Sequence, residues 1–159
     1  MPLSINRKLF DRVKTAIAEA GHINMLSWAE GRDSVTAESV DEIRGLPLLG
    51  DCRTTACIGG LACYLATSEE MARAAETYDL SGNEVQEPSI LGAALLLDGA
   101  EDKYELESTC LPLFSLLHWP LEEQFDYSDS RIDTERNQVV IRRMDDWAAE
   151  IESRQSTES

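Results

Sequence analysis

The sequence predicts an all-α protein, a single-domain compact bundle of six or seven helices over residues 1–152 with a frayed C-terminal tail at 153–159. Three observations lead there. Apolar residues recur at helical spacing, most clearly Val140, Met144, Trp147 and Ile151. Start and stop residues bracket several apolar runs: Thr67 with Glu70 three residues on, Pro88 ahead of Ile90, and Gly21 and Gly45 behind their segments. Strand signals are nearly absent, and the one stretch of strand propensity, 138–142, lies inside a longer 3.6-residue period. A chain of 159 residues is one domain by length, enough to bury roughly 70% of the surface it exposes when unfolded.

The first helix is expected from Ser4 or Asn6 to Ala20, with Phe10, Val13 and Ile17 as its apolar stripe. An apolar segment from His22 to Trp28 follows and should pack on the core. Residues 30–50 are polar and irregular, with room for a short helix from Ala37 to Arg44. Thr54 or Thr55 can cap the next helix, Ala56 to Ala66. Gly59 and Gly60 fall inside it, where each costs about 1 kcal/mol against alanine. Close approach of another backbone is the simplest reason for them, which would make this the central helix. Thr67 and Glu70 form a capping box that opens a helix to about Tyr78. Pro88 and Ser89 begin a nearly all-apolar helix from Ile90 to Leu97, ended by Asp98-Gly99. Cys110 to Trp119 reads as a short helix with Pro112 in its first turn, and Pro120 to Phe125 as one more turn. Asp133 or Thr134 caps the last helix.

The net charge of −16 is unevenly spread: residues 69–130 hold fifteen acids against two bases, Arg73 and Lys103. Such a surface repels phosphate backbones, which argues against direct nucleic-acid binding. It attracts basic partners at low salt. No run of 18 apolar residues and no apolar leader segment is present, so no membrane association is expected and the expected location is cytoplasmic.

Three of the four cysteines, Cys52, Cys57 and Cys63, fall within fifteen residues around the glycine pair. In this setting reduced, buried thiols are expected rather than bridges. Their spacing does not match a paired zinc motif, and Cys57 and Cys63 lie about 600° apart on a helix, so they face different ways. No metal and no cofactor are expected. Cys52 precedes a helix start, where free N–H groups lower a thiol pKa. A nucleophile there would need a base, and the chain offers only His22 and His118. His118, in Leu-Leu-His-Trp-Pro, reads as a packed core histidine. Glu69-Glu70, Glu101-Asp102, Glu122-Glu123 and Asp145-Asp146 are neighbours that do not face each other on a helix, so they read as solvated faces and not as acid–base dyads. Trp28, Trp119 and Trp147 read as packing residues.

Ile23-Asn24-Met25, Trp28, the run Cys52-Arg53-Thr54-Thr55-Ala56-Cys57-Ile58-Gly59-Gly60-Leu61-Ala62, Leu95 to Leu97, Leu113-Phe114 and His118-Trp119-Pro120 together resemble a group of small uncharacterised phage and bacterial proteins. The resemblance spans roughly residues 23–120, and its Cys-x-Thr-x-Ala-Cys-Ile-x-Gly core is the specific part. Arg53 stands where the group has glycine, and the segment from Trp28 to Cys52 is longer than usual. The resemblance implies a helical fold around the cysteine motif and a phage or mobile-element origin. It implies no activity.

The functional expectation is a non-enzymatic, acidic protein-binding module. Its partner would be a basic protein surface, such as a nucleic-acid-binding host or defence protein whose phosphate sites the carboxylates imitate. Candidate contacts are Glu69, Glu70, Asp98, Glu101, Asp102, Glu105, Glu107, Glu122, Glu123 and Asp126. The competing expectation is a thiol-dependent enzyme or redox sensor using Cys52, with Cys57 resolving and His118 as base.

Overall fold

The computed structural model describes residues 3–20, 28–30, 36–46, 55–121, 124 and 134–158. Seven α-helices stand among them: α1 (Arg7–Ala20), α2 (Val40–Arg44), α3 (Ile58–Leu65), α4 (Ser68–Thr77), α5 (Pro88–Leu96), α6 (Lys103–Phe114) and α7 (Thr134–Glu158). The fold is all-α in class, as the periodicity predicts. The C-terminal tail differs from expectation, because α7 continues through it to Glu158.

Helix α3 is the centre, touching α1, α2, α5 and α6. It begins later than expected. Thr55 and Ala56 are extended, and the cap is Cys57, whose Sγ accepts the Gly60 N–H at 3.4 Å. The two glycines therefore sit in the first turn and not mid-helix. Their role is the expected one. A Cβ on Gly59 would lie 2.5 Å from Trp28 Cζ3, and one on Gly60 would collide with the Trp28 carbonyl. Helix α5 packs on α3, and a Cβ added to Gly92 of α5 would lie 3.4 Å from the Gly59 carbonyl oxygen, an ordinary contact distance.

The far end of α3 is held by two arginines that sequence alone does not flag. Arg44, at the end of α2, donates to the carbonyls of Cys63 (3.0 Å), Tyr64 (3.3 Å) and Ala66 (2.6 Å). Arg12 donates to the Leu65 carbonyl at 3.0 Å. The last carbonyls of a helix have no intrahelical partner and carry partial negative charge, so cations are favoured there.

The outer helices pack as their apolar stripes dictate. Phe10 of α1 stacks on Trp147 of α7 with ring centroids 6.1 Å apart. Trp147 Nε1 donates to the Thr109 carbonyl at 2.9 Å, tying α7 to α6. Lys14–Asp145 (2.6 Å) and Arg7–Glu152 (2.5 Å) rim the α1–α7 seam. The fully buried side chains include Leu9, Ile43, Ile58, Leu91, Leu96, Leu106 and Leu113. Trp28 packs edge-on against Phe114 at 5.9 Å. Trp119 is buried, and its Nε1 donates to the Leu113 carbonyl at 3.2 Å.

Beside the helices, the described residues hold only short strands, paired in two small sheets. β1 (Ser4–Ile5) pairs antiparallel with β5 (Leu97–Asp98). β2 (Ala29–Glu30) pairs antiparallel with both β3 (Thr36–Ala37) and β4 (Thr55–Ala56). Strands of two residues are too short to carry an alternating pattern, which is why no periodicity reveals them. Helix α6 is a correction. It starts at Lys103, capped by Asp102, and Pro112 stands in its last turn and not its first.

Candidate functional site

Helix α4 opens with the expected capping box: Glu70 N–H to Thr67 Oγ1 at 3.1 Å, and Thr67 N–H to Glu70 Oε1 at 2.9 Å. It closes at Tyr78, and Asp79 turns the chain with a φ of 49°, a left-handed conformation that Asp tolerates better than most residues. Twenty residues later, just after β5 ends at Asp98, Gly99 has a φ of 83°. The chain then enters α6 through Asp102, whose Oδ1 accepts the Glu105 N–H at 2.8 Å, while Glu105 Oε1 accepts the Glu101 N–H at 3.0 Å. Tyr78 pins the two turns together. Its hydroxyl donates to the Leu97 carbonyl (3.1 Å) and accepts from the Ala100 N–H (3.4 Å). Burial raises its pKa, and the nearby Asp98 and Glu105 charges add to the rise, so the phenol stays neutral.

Between these turns lies an open cleft of about 900 Å³, lined by Arg73 and Thr77–Asp79 on one side and by Asp98–Tyr104 on the other. Four carboxylates line it: Asp79, Asp98, Glu101 and Asp102. The two cations of the lining are each drawn to one acid, Arg73 to Asp98 at 3.4 Å and Lys103 to Glu84 at 2.7 Å. The Lys103 and Ser81 hydrogen bonds hold Glu84 below the usual carboxylate range. Asp79, Glu101 and Asp102 have no ion-pair partner among the described residues, so the cleft keeps net negative charge.

The residues expected to bind distribute unevenly. Asp98, Glu101 and Asp102 come together in the cleft. Glu105 stands behind them as a capping group, and Glu107 is exposed further along α6. Glu69 is exposed at the opposite end of α4. Glu70 is committed internally. Arg12 Nη2 donates to both its oxygens, at 2.5 and 2.6 Å. Burial pushes the Glu70 pKa up, but the Arg12 and Thr67 hydrogen bonds outweigh that and lower it. Glu122, Glu123, Asp126 and Cys52 lie outside the described residues. Asp79, Tyr78 and Tyr104 belong to the cleft and were missed. The Asp102-x-x-Glu105 spacing is a capping signature that would have located the α6 side of it.

The thiol constellation is not assembled among the described residues. Cys57, Cys63 and Cys110 are free and buried. Burial pushes the Cys57 pKa up to about 11, against the lowering pull of the Gly60 and Gly59 N–H groups, and it raises Cys63 and Cys110 as well. A buried thiol held neutral is a poor nucleophile. His118 is a correction: it is exposed in the turn Leu116–His118 and not packed in the core. Among the described residues no group of three His, Cys, Asp or Glu side chains could hold a metal ion, and no helix is long and apolar enough to cross a membrane.

Compared with models of known protein families, with curated proteins and with solved structures, the chain matches none.

Proposed function

We propose that this protein is an acidic protein-binding module whose partner presents a basic surface to the cleft between α4 and α6. The observation that carries the reading is the convergence of Asp79, Asp98, Glu101 and Asp102 on one open cleft with only two cations, each engaged by a carboxylate. Carboxylates carried on these turns, with that of Asp102 held by its cap, present negative charge that steers a cationic partner and sets register. The same arrangement can imitate the charge of a nucleic-acid backbone, so the partner is a protein that itself binds nucleic acid. Such a role suits the phage or mobile-element setting that the cysteine motif's resemblance implies.

The test is capture of partners from host lysate at low and at high salt, followed by competition with duplex DNA. A basic protein that binds at low salt, is released at high salt and is displaced by DNA supports the reading. Absence of any salt-sensitive basic partner overturns it.

A further inference from the structure

Helix α6 buries Leu106, Cys110 and Leu113 and turns another face outward. Tyr104, Glu107, Ser108 and Leu111 follow at i, i+3, i+4 and i+7 on that outer face, and all four are exposed. Tyr104 is 80% exposed and Leu111 48%. Beyond the helix Trp119 folds inward onto the Leu113 carbonyl, and the residues two places either side of it, Leu117 and Leu121, are each 84% exposed. Single exposed apolar residues are ordinary. Here four large ones stand within residues 104–121, Tyr104 and Leu111 on the outer face of α6 and Leu117 and Leu121 in the turn that follows it, and Tyr104 lines the acidic cleft.

Charge decides what can cover this face. Glu101 and Asp102 flank its start, Glu107 lies within it, and the whole chain carries −16. A second copy would bring these carboxylates against their own kind, and an anionic lipid surface would be repelled too. Spacing favours one form of occupant. Tyr104 and Leu111 are seven residues apart on a helix, about 10.5 Å along the axis, which is the i to i+7 step of a helix laid alongside. We propose that the outer face of α6 and the following turn seat a basic amphipathic helix of the partner protein. Its apolar stripe covers Tyr104, Leu111, Leu117 and Leu121, while its cations meet Glu107 and the cleft carboxylates. This rests on the reading of the protein as an acidic binding module and names the element it grips.

Two synthetic peptides of about 18 residues and identical Leu/Lys composition test it. In one the leucines line a single helix face; in the other they are scrambled round the helix. The face variant carries Tyr104→Ser, Leu111→Ser and Leu117→Ser, and the charge variant carries Glu101→Gln and Glu107→Gln. All five positions are partly or largely solvent-facing, and thermal melts confirm folding; Leu117→Ser alone serves if the triple variant does not fold. The native protein should bind the amphipathic peptide about tenfold tighter than its scramble. The face variant should erase that difference, and the charge variant should weaken both peptides. Equal binding of the two peptides, or a face variant indistinguishable from the native protein, overturns the inference but leaves the acidic-module reading standing. Salt-insensitive or absent binding of both peptides overturns that reading as well. A native dimer that the face variant dissolves in sedimentation would assign the face to a second copy and overturn the proposal.

Discussion

Gly60 stands directly against the Trp28 carbonyl: a Cβ built on it would lie 2.7 Å from that carbonyl carbon and closer still to the oxygen. Trp28 O also accepts the Cys57 N–H at 3.3 Å, so the start of α3 and the start of β2 are locked by backbone contact. Gly60→Ala must push backbone aside and should cost about 3 kcal/mol. Gly92→Ala is the matched control. Its Cβ would meet only the Gly59 carbonyl at 3.4 Å and Phe114 at 3.6 Å, ordinary distances, and alanine favours the helix. It should leave stability unchanged or raise it by up to about 1 kcal/mol. Chemical denaturation of the two variants checks both.

The carboxy end of α3 depends on Arg44. Replacing it with Met keeps the stem but strips three carbonyls of their donor. Arg44→Met should destabilise by about 2–3 kcal/mol, and Arg44→Lys should recover only part of that, because one ammonium cannot span the same set as well. Equilibrium unfolding in urea measures the difference.

The Arg12–Glu70 pair gives a pH dependence with a defined sign. The folded-state pKa of Glu70 is lowered, so its contribution is fully present above the unfolded carboxylate value of about 4.3 and is lost as pH falls through the folded value. Stability should therefore drop on acidification below about pH 4.5. The drop should be shallower in Arg12→Ala, which is already less stable at neutral pH. Parallel acid-limb slopes for the two proteins would show that Glu70 is not responsible.

The thiols provide a direct check on the interior. With Cys52→Ser in place, the remaining Cys57, Cys63 and Cys110 should react with an aromatic disulfide reagent at neutral pH only as fast as the protein unfolds. Fast labelling of any of them under native conditions would contradict their burial. The same labelling on the unaltered chain isolates the reactivity of Cys52.

Much of this architecture is legible in the sequence, and the reasons differ by element. Helix α7 is visible because Val140, Met144, Trp147 and Ile151 mark one seam, and α4 because Thr67 and Glu70 cap it reciprocally. The glycine pair betrays a close backbone contact, although not with which residue. Helix α6 is hard to place from the sequence because it is apolar on two sides: Leu106, Cys110 and Leu113 inward, Tyr104 and Leu111 outward. That blurs the 3.6-residue period, and Pro112 then looks like a start when it occupies the last turn. The roles of Arg12 and Arg44, and the pairing of β1 with β5, come from contacts between distant segments that no local pattern encodes. The cleft is legible only in part for the same reason. Asp98, Glu101 and Asp102 stand out as acids in an acidic stretch, but Asp79 joins them only through the turn after α4.

The central claim is that the cleft acids, beyond net charge alone, hold the basic partner. The most direct measurement compares two charge-matched variants for the salt-dependent dissociation constant of a partner captured as described above. Asp79→Asn with Glu101→Gln removes two charges from the cleft, while Glu19→Gln with Glu38→Gln removes two from exposed sites elsewhere. The cleft pair should weaken binding at low salt by about tenfold and flatten its salt dependence, with the control pair near the native value. Equal losses from both pairs would contradict the claim, leaving only diffuse charge.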